Sequence, residues 1–182
     1  MREPISYIIS EKDFPEKIAK IESEFDKIRK EGFFDSFDGK KLYFEYFPKE
    51  NAKASVVIVH GLSEFTKKFY EIAWYFYLEG YSVYLYDQRC HGRSCRLGAR
   101  ADILHVDKFS DYAKDLNEFI KNIVLKTSDK PIYLYSHSMG GAAAALYLSK
   151  WQDTVKKAVM SAPLNPLASK MSLSFPMPNG KK

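Results

Sequence analysis

One turn constrains the fold more than any other part of this sequence. Tyr135-Ser136-His137-Ser138-Met139-Gly140-Gly141 joins an apolar run, Pro131 to Ser136, to an alanine-rich stretch that continues to Ser149. A serine set between small residues two positions either side, at a strand-to-helix turn, is the sequence form of a nucleophile elbow. Such a turn lifts the hydroxyl out of the backbone and sets it at the mouth of a helix. Free amides and the positive end of the helix dipole then face it. The competing reading is a plain helix N-cap, a role serine favours. The pair His60-Gly61, closing another β-branched run some eighty residues upstream, favours the elbow.

The rest of the chain is consistent with that turn. Ser55 to His60 is a continuous β-branched run, the mark of a strand buried on both faces. Further strands are expected at Ser82–Tyr86, Pro131–Ser136 and Val155–Ser161. Helices are expected over Lys67–Glu79 (closed by Gly80), Lys108–Leu125 and Met139–Ser149, with a long loop from Asp87 to Val106. Strands alternating with helices predict an α/β protein built on a parallel, doubly wound sheet. Ahead of it, Phe33–Phe37 and Leu42–Phe47 alternate around Asp38-Gly39 and predict an antiparallel hairpin. Ile18, Ile21, Phe25 and Ile28 recur at helical spacing within Asp13–Lys30, an amphipathic helix ended by Gly32. The expected organisation is an N-terminal helical segment over 1–31, a core over 32–163 and an irregular tail over 164–182.

Composition excludes several classes of function. Twenty-eight basic residues against twenty-three acidic give a net charge of +5, but the excess is scattered in pairs such as Lys40-Lys41, Lys67-Lys68 and Lys156-Lys157. No basic stripe interleaves with stacking aromatics, so nucleic acid is not an expected partner. Membrane contact is expected to be peripheral at most, because no apolar run is long enough to span a bilayer. Met1 to Lys20 lacks the basic and apolar regions of a secretory signal. Two cysteines, Cys90 and Cys95, in one loop point to a reduced, cytoplasmic chain. With His91 they crowd three donor groups into six residues with no second pair, so no metal site is expected.

The chemistry expected of an elbow assigns Ser138 as nucleophile and the Met139 amide as one oxyanion donor. The second donor belongs to the loop after the first parallel strand, His60-Gly61-Leu62-Ser63-Glu64, with the Leu62 amide as donor. That loop, the segment Asp87-Gln88-Arg89-Cys90-His91-Gly92-Arg93-Ser94 and the elbow together resemble three ordered motifs of the α/β-hydrolase superfamily. The resemblance is to its monoacylglycerol lipase and lysophospholipase-like branch, also called serine aminopeptidase-like hydrolases. It covers roughly Phe33 to Pro163. It implies acyl transfer from a small-molecule or lipid ester to Ser138 and then to water, without a cofactor. Two residues depart from the pattern. Ser136 stands where the elbow has glycine, tolerable if its backbone avoids positive φ. Cys90 replaces a loop glycine and is expected to need a different loop path.

The resemblance also exposes a gap. In this fold the triad order is nucleophile, acid, histidine. No histidine follows Ser138, and the one later carboxylate, Asp153, falls at a helix end and reads as a surface residue. His60, His91, His105 and His137 all precede the nucleophile. The expectation is an incomplete hydrolase, without the last strands and cap, leaving Val155–Met160 as an open edge. Its acid and base would lie beyond Lys182 or on a second chain, and alone it would be weak or inactive. The alternatives are one half of a split enzyme, a non-catalytic binding protein on a shortened hydrolase fold, and a short active hydrolase using an upstream histidine such as His91.

Overall fold

The computed structural model describes residues 8–98 and 104–164. Period-two alternation sorts every central strand between two cores. In β3 (Ser55–Val59) and β4 (Ser82–Tyr86) all residues are buried. Val56, Ile58, Val83 and Leu85 point to one face, where they meet Ile21 and Phe25 of α1 (Phe14–Ile28) and Tyr70 and Ala73 of α2 (Tyr70–Leu78). Val57, Val59, Tyr84 and Tyr86 point to the other, against Leu116 and Phe119 of α3 (Ser110–Phe119). The expected domain segment over 1–31 therefore shares a core with the sheet through α1. The expected tail lies outside the described residues beyond Leu164.

The sheet has six strands in the order β1-β2-β4-β3-β5-β6. β1 (Lys30–Asp35) and β2 (Lys41–Phe47) form the expected hairpin, and β2 runs antiparallel to β4. β3 pairs in parallel with β4 and with β5 (Ile132–His137), and β5 with β6 (Val155–Ser161). This places the carboxyl ends of β3, β4 and β5 side by side, where open α/β sheets hold their sites.

Three local readings differ from expectation. α1 ends at Ile28, before Gly32, because Arg29 turns extended (φ −57°, ψ 134°) and Lys30 already pairs with Tyr46. Gly32 instead sits in β1 against the Phe44 ring. A 3₁₀ turn, Thr66–Phe69, precedes α2. The helix begun by α3 passes through a π turn at Ile120–Val124 before its last turn, α4 (Leu125–Thr127). β6 pairs only with β5 among the described residues, and Val159 on it is 59% exposed.

Candidate active site

The elbow forms where the sequence places it. β5 ends at His137, α5 (Met139–Leu148) begins at Met139, and Ser138 between them adopts φ 50°, ψ −118°. A non-glycine residue pays roughly 1–3 kcal/mol for such a conformation. It persists because the surrounding backbone fixes it: the Ser138 N–H donates to the Ser161 carbonyl (3.0 Å). The Ser138 carbonyl accepts from Gly141 (2.9 Å) and Leu164 (3.0 Å). The N-cap reading fails, since an N-cap is extended and its side chain bonds the first turn; here φ is positive and the hydroxyl makes no cap bond. The Met139 and Gly140 amides lie in the first helical turn, which has no intrahelical acceptors for them. Gly140 is required by proximity, because a Cβ there would lie 2.4 Å from the carbonyl oxygens of Val59 and His60. Ser136 is an ordinary strand residue paired with Val59 and Met160, so serine replaces glycine there without strain.

Facing the elbow is the loop after β3. His60 is buried, and both ring nitrogens are engaged: Nδ1–H donates to the Gly61 carbonyl (2.8 Å) and Nε2 accepts from the Gln88 amide (2.9 Å). Burial pushes its pKa down to about 3, helped by neighbouring His91, so it stays neutral and structural. Gly61 approaches the elbow so closely that a Cβ on it would sit 3.1 Å from the Ser138 Cβ and 3.2 Å from His137 Nδ1. The Gly61 N–H donates to Glu64 Oε2 (2.6 Å), and that same oxygen is 3.0 Å from His137 Nδ1. The next amide, Leu62, has no hydrogen-bond partner among the described residues. The Leu62 side chain packs with Met139, Ala143, Tyr112, Val106 and Phe109, making an apolar wall beside the elbow.

The segment after β4 buttresses both. Asp87 Oδ1 accepts from the Thr66 amide (2.8 Å) and Oδ2 from the Arg93 amide (2.8 Å), while burial raises its pKa. Buried Arg89 forks onto Asp115 through Nε and Nη2, both at 2.6 Å, and reaches Asp38 through Nη1 at 3.2 Å. Its own pKa is raised; the Asp115, Asp38 and Asp111 carboxylates outweigh burial, which acts the other way. Cys90 corrects the expectation of an altered path: it takes φ 64°, the left-handed conformation that favours glycine. Its thiol donates to the His105 carbonyl.

The remaining expected residues fall as follows. His91 is buried, with Nδ1 on the Arg89 carbonyl (2.9 Å), its ring against His60, and its pKa lowered by burial. His105 is exposed and pairs with Asp107. His137 turns to Glu64. None of the four hydrogen-bonds Ser138 among the described residues. Asp153 is exposed. Cys90, His91 and Cys95 do not converge, and the described residues contain no cluster of three or more ligating side chains suited to a metal ion. Sequence reasoning missed two carboxylates. Asp115 reads in sequence only as an acidic residue one helical turn from Asp111, and nothing local pairs it with Arg89, 26 positions away. Glu64 was within the quoted loop, but nothing in the sequence says which amide it takes.

Residues 50–180 match the family model described as serine aminopeptidase, S33. The chain belongs to that family. It is 33% identical over 141 residues to a probable lysophospholipase L2 of Haemophilus influenzae, covering 72% of this chain and 44% of the relative. It is 32% identical over 142 residues to lysophospholipase L2 of Escherichia coli K12, covering 78% and 42%. Its fold is similar to a soluble variant of the monoglyceride lipase from Saccharomyces cerevisiae, solved with a substrate analogue: TM-score 0.63, 25% identity, 75% of this chain and 45% of that one. The sheet is that of an α/β hydrolase, and the chain spans under half the length of each of these relatives.

Proposed function

We propose that this chain carries the nucleophile half of a serine hydrolase acting on carboxylic esters of the lysophospholipid or monoacylglycerol type. Ser138 attacks the ester carbonyl as the base takes its proton, and the Leu62 and Met139 amides hold the oxyanion. The alcohol leaves with that proton, and water then hydrolyses the acyl-serine to the free acid and regenerates the hydroxyl. The observation that carries this reading is the strained Ser138 backbone, which presents an uncommitted hydroxyl at the start of α5 against the loop of Gly61 and Leu62. The apolar wall of Leu62, Met139, Val106 and Phe109 suits an acyl chain. The acid and base come from outside these 182 residues, because each histidine present is committed elsewhere or buried away from Ser138. No cofactor takes part. No helix of the described residues is long and apolar enough to cross a membrane, and the two free cysteines suit a cytoplasmic setting.

The test is activity-based labelling with a fluorophosphonate, followed by peptide mapping. In source cells the native protein is expected to be modified at Ser138, while the 182-residue chain alone labels at the background of its Ser138→Ala variant. Added lysophosphatidylcholine or monoacylglycerol should compete with the probe. No labelling at Ser138 in cells would leave the protein a binding module. Strong labelling of the isolated chain, lost in His91→Ala, would mean an upstream base instead.

A further inference from the structure

A carboxylate that none of the catalytic assignments uses sits between the two loops that must stay in register. Glu64 Oε2 accepts the Gly61 N–H at 2.6 Å and lies 3.0 Å from His137 Nδ1. One bond reaches back within the β3 loop; the other crosses to the residue immediately before Ser138. The approach also requires glycine at position 61, since a Cβ there would come within 2.7 Å of the same oxygen. Glu64 is only partly exposed, its side chain at 22%, so water competes weakly for these bonds. Two consequences follow. The Gly61 amide is consumed by Glu64, leaving Leu62 as the next loop amide without a partner among the described residues. The His137 ring is held with its Nδ1 proton on Glu64, beside the Phe69 ring at 6.2 Å between centroids.

We infer that Glu64 is a positioning residue: its carboxylate clamps the Gly61 amide and the His137 ring together, and so selects Leu62 as the loop's oxyanion donor. This rests on the proposed role of Ser138, but its test needs no turnover. Gly61 is not expected to take part in oxyanion binding while the clamp holds. Replacing Glu64 by glutamine keeps an oxygen acceptor for both partners; replacing it by alanine removes it.

The experiment is NMR of the full chain, reading amide exchange at Gly61 and the ¹⁵N signature of the His137 imidazole. In the unsubstituted protein His137 is expected as the Nδ1–H form, with a downfield, slowly exchanging Gly61 amide. In Glu64→Ala, Gly61 exchange should accelerate roughly ten- to a hundredfold, the range of one hydrogen bond to a charged acceptor. The His137 tautomer should shift toward Nε2–H, and Glu64→Gln should restore most of both signals. Exchange at Val57 in β3 serves as the control for folding. A fast-exchanging Gly61 amide or an Nε2–H His137 in the unsubstituted protein overturns the proposal without any variant. Unchanged signals in Glu64→Ala overturn it too. Neither result depends on whether Ser138 is labelled, so a failed clamp and a failed nucleophile are told apart.

Discussion

Two loops at neighbouring strand ends look alike in sequence and differ in what they leave open. The segment after β4, Asp87 to Cys95, and the pair formed by the elbow and the β3 loop both carry Gly, His and Ser. Each also bends through non-glycine residues at positive φ: Cys90 at 64° in the first, Ser63 at 59° and Ser138 at 50° in the second. In the β4 loop the polar groups are spent on the protein. Both Asp87 oxygens, the Gln88 amides, three Arg89 nitrogens and the Ser94 hydroxyl are bonded internally. Among the buried side-chain nitrogens and oxygens of this loop, Gln88 Oε1 and His91 Nε2 lack partners. In the other pair the Ser138 hydroxyl, the Leu62 amide and the first amides of α5 are left uncommitted. The same residue types build a scaffold in one place and a candidate reaction centre in the other. What separates them is hydrogen-bond saturation.

The sharpest way to break that contrast is to empty the saturated loop. Arg89→Met strands the buried Asp115 carboxylate, whose side chain has no exposure, and releases Asp38. Removing one partner of a buried pair costs about 3–5 kcal/mol, so urea denaturation at neutral pH should show a loss of that size. A loss under about 1 kcal/mol would mean the cluster is not the scaffold claimed.

His60 belongs to both regions, and its effect is read through pH. Its folded pKa of about 3 lies below the ordinary value of 6.5, so the unfolded chain binds the proton first. Stability from this group is present above pH 6.5 and is lost as pH falls from there toward 3. The full span is on the order of 5 kcal/mol. Paired denaturation curves of the protein and His60→Gln should differ in slope over that window. An imidazole that titrates near 6.5 by NMR would show that His60 is not the sealed bridge described. A smaller effect is expected at Gly140→Ala. Helix propensity favours alanine by about 1 kcal/mol, but the Cβ meets two carbonyl oxygens at 2.4 Å. Overpacking of this kind costs typically 1–3 kcal/mol, so the net change should be a loss. A gain would mean that α5 does not abut the end of β3.

How much of this was legible in the sequence depends on the range of the interaction. Ser55–Val59 coincides with the expected strand because a continuous β-branched run is a local signal, and Ser82–Tyr86 does so as a short apolar and aromatic run just after Gly80. The elbow was legible for the same reason: small residues around Ser138 are what its approach to β3 and β6 requires. Gly32 misled because glycine next to a helix reads as a stop signal. Its placement in β1 is set instead by the Phe44 ring across the hairpin. Cys90 misled in the opposite sense, since the backbone bonds around it hold a left-handed turn that its side chain does not favour. Asp115 and Glu64 were illegible as functional residues because their partners, Arg89 and His137, lie 26 and 73 positions away in the sequence.

Cys90 and Ser138, two of the residues at positive φ, supply the finest test, because one backbone change should act with opposite sign at the two. Glycine reaches φ 50°, ψ −118° at no steric cost, and Ser138 makes no cap bond to lose. Ser138→Gly should therefore stabilise the fold by about 1 kcal/mol while abolishing labelling at that position. Cys90→Gly likewise relieves a residue held at positive φ (64°). It also deletes a fully buried thiol that donates to the His105 carbonyl. Lost packing and an unpaired carbonyl should outweigh the relief, giving a net loss of about 1 kcal/mol. Thermal denaturation of the two variants side by side reads the signs directly. If both stabilise, backbone strain alone distinguishes neither loop and the contrast drawn from saturation is wrong. If Ser138→Gly destabilises, the elbow is held by its side chain after all, and the hydroxyl is a structural group and not a free one.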